Sequence, residues 1–207
     1  SHLLVGSEGT LAYSSAITLK LSPLPSKKIM GVGHFPSFYE AMDAAQHIVT
    51  LNPVAVELVD DTMISLAHKI DMFKPTVEAV VNGNPKSLLL VEFAEEQIDE
   101  NHRRLKKLHQ LMGELGYSWN KTKKIGGVVD VIDDKLQSKV SEMRKSGLNI
   151  MMSMKDDAKP VSFIEDCAVE LKDLAEYTDG LNKIFDKHKV KGTWYAHASV
   201  GCLHVRP

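Results

Sequence analysis

Apolar runs of strand length alternate with segments of helical periodicity along most of this chain. The runs typical of strands are residues 28–34, 54–59, 86–93 and 161–169, a short piece near Ile125, and 193–197 and 202–205. Between them, apolar residues three or four positions apart predict helices over 38–48, 60–68, 98–115, 129–143 and 171–185. The alternation predicts an α+β fold, with duplicated β-α-β units of ferredoxin-like type on one largely antiparallel sheet. A doubly wound parallel α/β sheet is the alternative.

The composition excludes several classes of protein. Of the 207 residues, 43% are hydrophobic and 25% are charged, which is too apolar for a disordered chain. The net charge of -2 provides no basic surface for nucleic acid, and no apolar run approaches the ~20 residues of a membrane helix. Two cysteines, Cys167 and Cys202, cannot form a disulfide framework and favour a reducing compartment. We expect a cytoplasmic protein, with peripheral attachment to the inner membrane as an alternative.

Both ends of the chain fall inside motifs. The opening residues 1–10 predict an apolar strand and a glycine turn, and the chain stops within the motif of residues 197–207. Domains usually end in polar, exposed segments, so we expect a piece of a longer protein. Residues 11–21 alternate loosely like a strand, and Pro23 and Pro25 then break the pattern like a linker. The turn at residues 5–10 offers N–H and hydroxyl groups to a phosphate, although the signal is weak and a plain turn between strands is favoured.

Two histidines and a cysteine lie close together near the end of the chain. His197, Cys202 and His204 span eight positions, and imidazole and thiolate are ligands that suit zinc, iron or manganese. Residues of equal parity share one face of a strand, so Cys202 and His204 should point together. Gly201 would let the chain bring His197 back beside them. Ordinary strand histidines next to a small buried cysteine would produce the same pattern.

Cationic and acidic side chains form a second group of candidates. Arg144, Lys155 and Lys159 could bind an anion, since arginine holds a carboxylate through two hydrogen bonds. Arg144 also lies near the C-terminal end of a predicted helix, where a cation is favoured without any ligand. Glu165 and Asp166 fall in the middle of a predicted strand, so one of them should face inward or into a cleft.

Taken in order, these motifs resemble the FAD-linked oxidase family, flavoproteins with a vanillyl-alcohol-oxidase-type FAD domain. Residues 5–11, Val-Gly-Ser-Glu-Gly-Thr-Leu, look like the closing FAD contact of that domain. Residues 19–25 are similar to the crossing into the substrate-binding cap. The resemblance implies that residues 1–26 are the edge of the FAD-binding domain and a linker, and that 27–207 are the cap. Residues 144–166 and 194–207 resemble the branch that oxidises D-2-hydroxy acids, whose long members carry an iron–sulfur domain.

The resemblance also implies individual roles. Arg144 matches the arginine that holds the substrate carboxylate, and Lys159 and Arg206 match further substrate contacts. His197 and His204 match the two histidines that hold a divalent ion, such as zinc, manganese or iron, near the substrate hydroxyl. The residues that match the loop beside the FAD pyrophosphate are Ser7, Glu8, Gly9 and Thr10.

The match departs from the family pattern at the metal motif. The commoner motif is His-x-Gly-Asp-Gly-Asn-x-His, and here Ser199, Val200 and Cys202 stand at the Gly, Asp and Asn positions. The third ligand of relatives, a glutamate followed by His-Gly, and their catalytic-base histidine have no match before Pro207. We therefore expect no catalytic residue within this chain, no activity for the chain alone, and weak or no FAD binding.

The function implied for the whole protein is oxidation of a D-2-hydroxy acid, of the D-lactate, D-2-hydroxyglutarate or glycolate type, to the 2-oxo acid. Electrons would pass through the flavin to an iron–sulfur cluster. The implied partners are the FAD and iron–sulfur domains of the same chain and the small-molecule acid, while a homo-oligomer stays open. A stand-alone ferredoxin-like module that binds a small molecule or a metal is one alternative. Another is an interaction domain whose apolar edge near Leu203 and Val205 is covered by a partner.

Overall fold

The computed structural model describes residues 2–21, 24, 27–119, 126–152 and 161–207, without the side chains of Leu148, Met151 and Met152. Within these residues the strands are β1 Ile29–Phe35, β2 Ala55–Asp60, β3 Ser87–Phe93, β4 Gly127–Val131, β5 Ile164–Ala168, β6 Thr193–His197 and β7 Cys202–Arg206. The α-helices are α1 His2–Val5, α2 Phe38–Ile48, α3 Asp61–His68, α4 Lys74–Val80, α5 Ile98–Glu114, α6 Asp134–Lys145, α7 Gly147–Met152 and α8 Leu174–His188. None of the helices in this described part is long and apolar enough to cross a membrane.

The strands form one sheet in the order β4-β1-β3-β2-β6-β7-β5, and every neighbouring pair is antiparallel. The predicted α+β class is therefore confirmed, and the doubly wound parallel alternative is wrong. Three β-α-β connections build the sheet, namely β1–α2–β2, β3–α5–β4 and β5–α8–β6. Each joins two parallel strands that have one other strand between them.

Helices cover the two faces of the sheet unequally, because alternate strand residues point to opposite faces. The first core packs α2, α5 and α8 against strand residues such as Leu58 and extends to Val205 in β7. The second core packs α3, α4, α6 and α7 against the other face. In the described residues this second core ends at Val59 in β2. Beyond Val59 the same face of β6 and β7 carries polar side chains, and these form the candidate site.

Some predicted elements differ from the observed ones. Residues 2–5 are a helix and 11–21 form an exposed segment without regular structure, so the two strands predicted there are wrong. The helix predicted from residue 129 begins at Asp134, because 127–131 form β4 and Asp133 caps the helix by accepting from the Leu136 N–H at 2.8 Å. Helices α4 and α7 were not predicted. The predicted strand near Ile125 lies outside the described residues.

The apolar edge proposed at Leu203 and Val205 is also wrong. Strand β7 lies between β6 and β5, and both side chains are fully buried in the first core. Because β7 has a neighbour on each side, its backbone groups pair within the sheet, and a partner is not needed to cover them.

The stability of the fold should depend on pH through Asp60, which ends β2 and caps α3. Its carboxylate is 4% exposed and accepts from the N–H groups of Met63 at 2.8 Å and Trp194 at 3.1 Å. Burial raises the pKa of Asp60 from 3.8 to about 6, although these two donors oppose the rise. Because the pKa of Asp60 is higher in the folded chain than in the unfolded one, the protonated side chain stabilises the fold fully below pH 4. This stabilisation, roughly 3 kcal/mol, is lost as the pH rises through about 6.

Urea unfolding of the wild type and of Asp60→Asn at several pH values tests this expectation. The amide cannot ionise, so the free energy of unfolding of the wild type relative to the variant should fall between pH 4 and pH 6. A difference that stays constant over this range would contradict the prediction.

Candidate functional site

A group of polar side chains lies on the sheet face where the second core ends. It receives residues from β2, β5, β6 and β7 and from the C-terminal end of α6. We call this group the polar cluster, and its members are Glu57, Arg144, Glu165, Tyr195, His197, His204 and Arg206. The register explains the grouping, because Glu57 pairs with His197 and Tyr195 pairs with His204.

A tight hairpin places the two histidines side by side. Strand β6 ends at His197, β7 begins at Cys202, and these two residues pair across the hairpin. Residues 198–200 form one 3-10 turn, and Gly201 has a left-handed φ of 65°. The rings of His197 and His204 are 5.4 Å apart between centroids, with an interplanar angle of 82°. Gly201 therefore brings His197 back beside His204, as the spacing predicts.

One half of the polar cluster is organised around Glu57. The Arg144 guanidinium donates to Glu57 Oε2, and His197 Nδ1 lies 2.9 Å from Glu57 Oε1. Because a carboxylate only accepts hydrogen bonds, His197 Nδ1 carries the proton that it donates. The lone pair of a neutral His197 ring is then on Nε2, which is the arrangement of metal-binding histidines that donate their other N–H to a carboxylate.

The other half repeats this arrangement around Glu165. Glu165 Oε2 accepts from His204 Nδ1 at 2.7 Å, and Oε1 accepts from Arg206 Nη2 at 2.9 Å. Burial raises the pKa of Glu165, but the hydrogen bonds from Ser162 and His204 and the charge of Arg206 outweigh it and hold the pKa below its usual range. Arg206 also donates to the Tyr195 hydroxyl at 2.7 Å, and the Tyr195 ring stacks on His204 with 4.6 Å between centroids.

Cys202 and Asp166 lie at the border of the polar cluster. A bulge interrupts the pairing of β5 with β7 between Ile164 and Cys167, and Asp166 has a left-handed φ of 54° within it. Asp166 Oδ1 lies 3.5 Å from His204 Nδ1. Burial and the nearby charge of Asp166 raise the pKa of the Cys202 thiol.

A cavity of about 160 Å³ adjoins the polar cluster at Arg144 and Tyr195. Its remaining lining is mostly apolar and consists of Leu58, Val59, Met63, Lys145, Gly147 and Trp194. The cavity thus combines an apolar wall with two cationic side chains at adjacent positions of α6.

The structure brings together five of the residues singled out in the sequence, namely Arg144, Glu165, His197, His204 and Arg206. Lys155 and Lys159 lie outside the described residues. The four proposed FAD contacts, residues 7–10, lie in an exposed turn after α1, in which Glu8 and Gly9 have φ values of 48° and 75°. The hydroxyls of Ser7 and Thr10 donate within this segment, to the carbonyls of Leu4 at 2.8 Å and Ser7 at 2.6 Å.

Two members of the polar cluster were missed in the sequence. Glu57 was visible as the one charged residue in the apolar run 54–59, which signals a polar contact on an otherwise buried strand. Tyr195 has the same parity as His197 in β6, so it shares that face. The hypothesis that one of Glu165 and Asp166 enters a cleft fits Glu165, whereas the Asp166 side chain is 82% exposed.

Comparisons with known proteins agree with one another. Residues 24–207 match the family described as FAD linked oxidases, C-terminal domain. The chain is 30% identical over 214 residues to D-2-hydroxyglutarate dehydrogenase of Pantoea ananatis, covering 100% of this chain and 20% of that protein. It is 27% identical over 207 residues to D-lactate dehydrogenase of Archaeoglobus fulgidus, covering 100% of this chain and 41% of that protein. It therefore spans about a fifth to two fifths of the length of these relatives.

The fold is also similar to that of a solved oxidase. The 4-ethylphenol oxidase from Gulosibacter chungangensis, in its isoeugenol complex, matches with a TM-score of 0.58 over 91% of this chain and 40% of that chain. The sequence identity is 9%, so this likeness concerns the fold alone.

Proposed function

Because the chain belongs to the family of FAD linked oxidase C-terminal domains, we propose that it is the substrate-binding cap of an FAD-dependent dehydrogenase that acts on a D-2-hydroxy acid. The family predicted from the motifs at the two ends is thereby confirmed. The relatives named D-2-hydroxyglutarate and D-lactate dehydrogenases support this substrate class.

The observation that carries the proposal is the pairing of two arginines with two histidines in the polar cluster. Each guanidinium has five N–H donors, so Arg144 can hold Glu57 and still offer donors to a substrate carboxylate. Arg206 Nε is buried, and no partner for it is found among the described residues. A buried donor without a partner is costly, which supports a role for Arg206 as a second anion contact.

We propose that His197 and His204 hold a divalent cation beside the substrate hydroxyl. Both rings donate from Nδ1 to a glutamate, so both have Nε2 available as a ligand atom. When bound, FAD would accept the hydride, and zinc, manganese or iron would acidify the hydroxyl. The chain's own residues would orient the acid: Arg144 and Arg206 fix the carboxylate, and the Tyr195 ring holds His204 in place by stacking.

The cavity next to Arg144 suits the part of the substrate beyond the hydroxyl-bearing carbon. Its apolar wall would accept a short carbon chain, and Lys145 would pair with a second carboxylate at the end of that chain. This arrangement favours a dicarboxylic acid of the D-2-hydroxyglutarate type over D-lactate or glycolate.

We also propose the wider organisation of the whole protein. Residues 1–26 would be the edge of the FAD-binding domain and a linker, residues 27–207 the cap, and residues 7–10 the FAD contact. Large apolar side chains in this first segment are exposed, as expected if the rest of an FAD domain covers them; they are Leu3, Leu4, Val5, Leu11, Tyr13, Ile17, Leu19, Leu21 and Leu24. An iron–sulfur domain would receive the electrons, and the protein would work in the cytoplasm.

Dye-linked oxidation of a panel of D- and L-2-hydroxy acids by the full-length protein tests the proposal. We expect turnover of a D-acid, and a loss of about 30-fold or more in kcat/KM for Arg144→Ala, since losing a charged contact costs roughly 2–3 kcal/mol. Arg103→Ala is the matched control, because Arg103 is half-exposed and pairs with Glu100 on α5. If no hydroxy acid reduces the flavin, the substrate class is wrong. If Arg144→Ala behaves like the control, the carboxylate contact is wrong.

A further inference from the structure

The cavity of about 160 Å³ beside Arg144 is bounded on one side by Met63 of α3. We propose that Met63 is a specificity-determining residue, which limits the length of the substrate beyond its hydroxyl-bearing carbon. This inference rests on the proposed function, which places that part of the acid in the cavity. It goes beyond that function by naming the side chain that selects among acids of different length.

The strand register places Met63 at the end of the cavity that is far from the polar cluster. Glu57 pairs with His197 and Val59 pairs with Tyr195, so the face that carries the polar cluster continues along both strands. A strand advances about 3.4 Å per residue, so the end of β2 lies roughly 10 Å beyond Glu57. Helix α3 begins at the next residue and carries Met63 in its first turn. The long axis of the cavity therefore runs from the polar cluster toward Met63.

Contacts on both sides hold Met63 in this position. Its N–H donates to Oδ1 of Asp60 at 2.8 Å, which fixes the first turn of α3 against the end of β2. Its side chain is buried in the second core, and its tip lies beside Gly147. A Cβ built on Gly147 would be 3.4 Å from Met63 Cε and 3.5 Å from Sδ. The thioether thus fills the gap between α3 and the start of α7, and a longer substrate would have to displace packed atoms.

The size of the cavity matches the end of a five-carbon dicarboxylic acid. A cavity of about 150 Å³ accepts a benzene molecule, so one of about 160 Å³ holds roughly six non-hydrogen atoms. Beyond its hydroxyl-bearing carbon, a 2-hydroxyglutarate has two methylene groups and a carboxylate, which are about five such atoms. A longer chain would therefore press against Met63, whereas the single methyl group of a D-lactate would leave most of the cavity unfilled.

Kinetics of the full-length protein with acids of two lengths test the role of Met63. We would measure kcat/KM for the D-2-hydroxy dicarboxylic acids of five and six carbons and compare the six-to-five ratio among variants. One methylene in an apolar pocket changes such a ratio by about 10- to 200-fold. The wild type should favour the five-carbon acid by about tenfold or more. Met63→Val, which removes the tip of the side chain, should raise the six-to-five ratio by about tenfold or more.

Gly147→Ala should shift the ratio in the opposite direction. The added methyl group would lie at ordinary contact distance from the tip of Met63, so the variant should fold, and it would take up space where the cavity ends. The six-to-five ratio should therefore fall by about tenfold. Met112→Val is the matched control, because Met112 is also a buried methionine but belongs to the first core on the other face of the sheet. Its ratio should equal that of the wild type.

Binding of the reaction products provides a second readout that needs no turnover. Calorimetry with the five- and six-carbon 2-oxo dicarboxylic acids should show the ratio of their Kd values moving in the same two directions. Loss of stability alone would weaken both acids equally and leave the ratio unchanged.

The possible outcomes separate this inference from the proposed function. If D-acids are oxidised but either variant leaves the kcat/KM ratio within about twofold of the wild type, the role of Met63 is wrong and the proposed function stands. A shift of the same size in Met112→Val would also overturn that role. If no 2-hydroxy acid reduces the flavin, the proposed function is wrong and this inference fails with it.

Discussion

Replacing Gly201 with alanine should destabilise the protein by about 2 kcal/mol or more and abolish the hydroxy-acid oxidation proposed for the full-length protein. Gly201 has a φ of 65°, which side-chain-bearing residues rarely adopt, and an added Cβ would lie 1.9 Å from the carbonyl oxygen of Val169. That oxygen cannot move away freely, because the Val169 N–H donates to the Gly201 carbonyl at 2.9 Å and fixes the two segments together. Relieving the clash would separate β7 from β5.

Urea unfolding of Gly201→Ala measures the loss, and Gly180→Ala is the control. Gly180 lies within α8, where an added Cβ would meet nothing within 4 Å, so alanine should stabilise that helix by up to about 1 kcal/mol. If Gly201→Ala is as stable as the wild type, the inference that position 201 requires glycine is wrong.

Under the proposed function, replacing Glu57 with glutamine should reduce kcat/KM of the full-length protein by about 10- to 100-fold, the usual effect of losing the carboxylate behind a metal-binding histidine. The neutral amide would hold Arg144 more weakly, and it could offer an N–H to His197 Nδ1 in place of an acceptor. The His197 ring could then carry its proton on Nε2 and lose that ligand atom. The structure of the sheet should be retained, because glutamine has nearly the shape of glutamate.

Nitrogen NMR of the histidine rings distinguishes this positioning role from a merely structural one. The His197 proton should be on Nδ1 in the wild type and should shift toward Nε2 in Glu57→Gln, while His204 keeps its tautomer. Glu92→Gln is the control, since Glu92 pairs with the half-exposed Lys28 outside the polar cluster. An unchanged His197 tautomer together with unchanged activity would contradict the role given to Glu57.

Local patterns predicted the pieces of the fold better than their arrangement. Hydrophobic periodicity located most strands and helices, but Val129 and Ile132 fell by chance at helical spacing with the residues that follow. The capping residue Asp133 was the signal that the helix begins later. The position of β6 beside β2 depends on packing of segments far apart in the sequence, which no local pattern encodes.

In the candidate site, likewise, the grouping of residues close in the sequence was predicted, whereas contacts between distant segments were not. His197, Cys202 and His204 were found because strand parity and Gly201 act within eight residues. The contact of Glu57 with His197 spans 140 positions, and that of Glu57 with Arg144 spans 87. Such pairs follow from strand order and register, which only the folded sheet shows.

The position of β7 in the sheet has a consequence for how the site is assembled. Strand β7 follows all the other strands in the sequence, yet it lies between β6 and β5, and β5 has no other neighbour in the described sheet. During synthesis β5 must therefore wait for β7 before it can pair. Glu165 on β5 meets His204 and Arg206 on β7 only once β7 is in place. The histidine pair and the Glu165–Arg206 contact thus form only once β7 has joined the sheet, whereas the Arg144–Glu57 contact joins α6 to β2 without it.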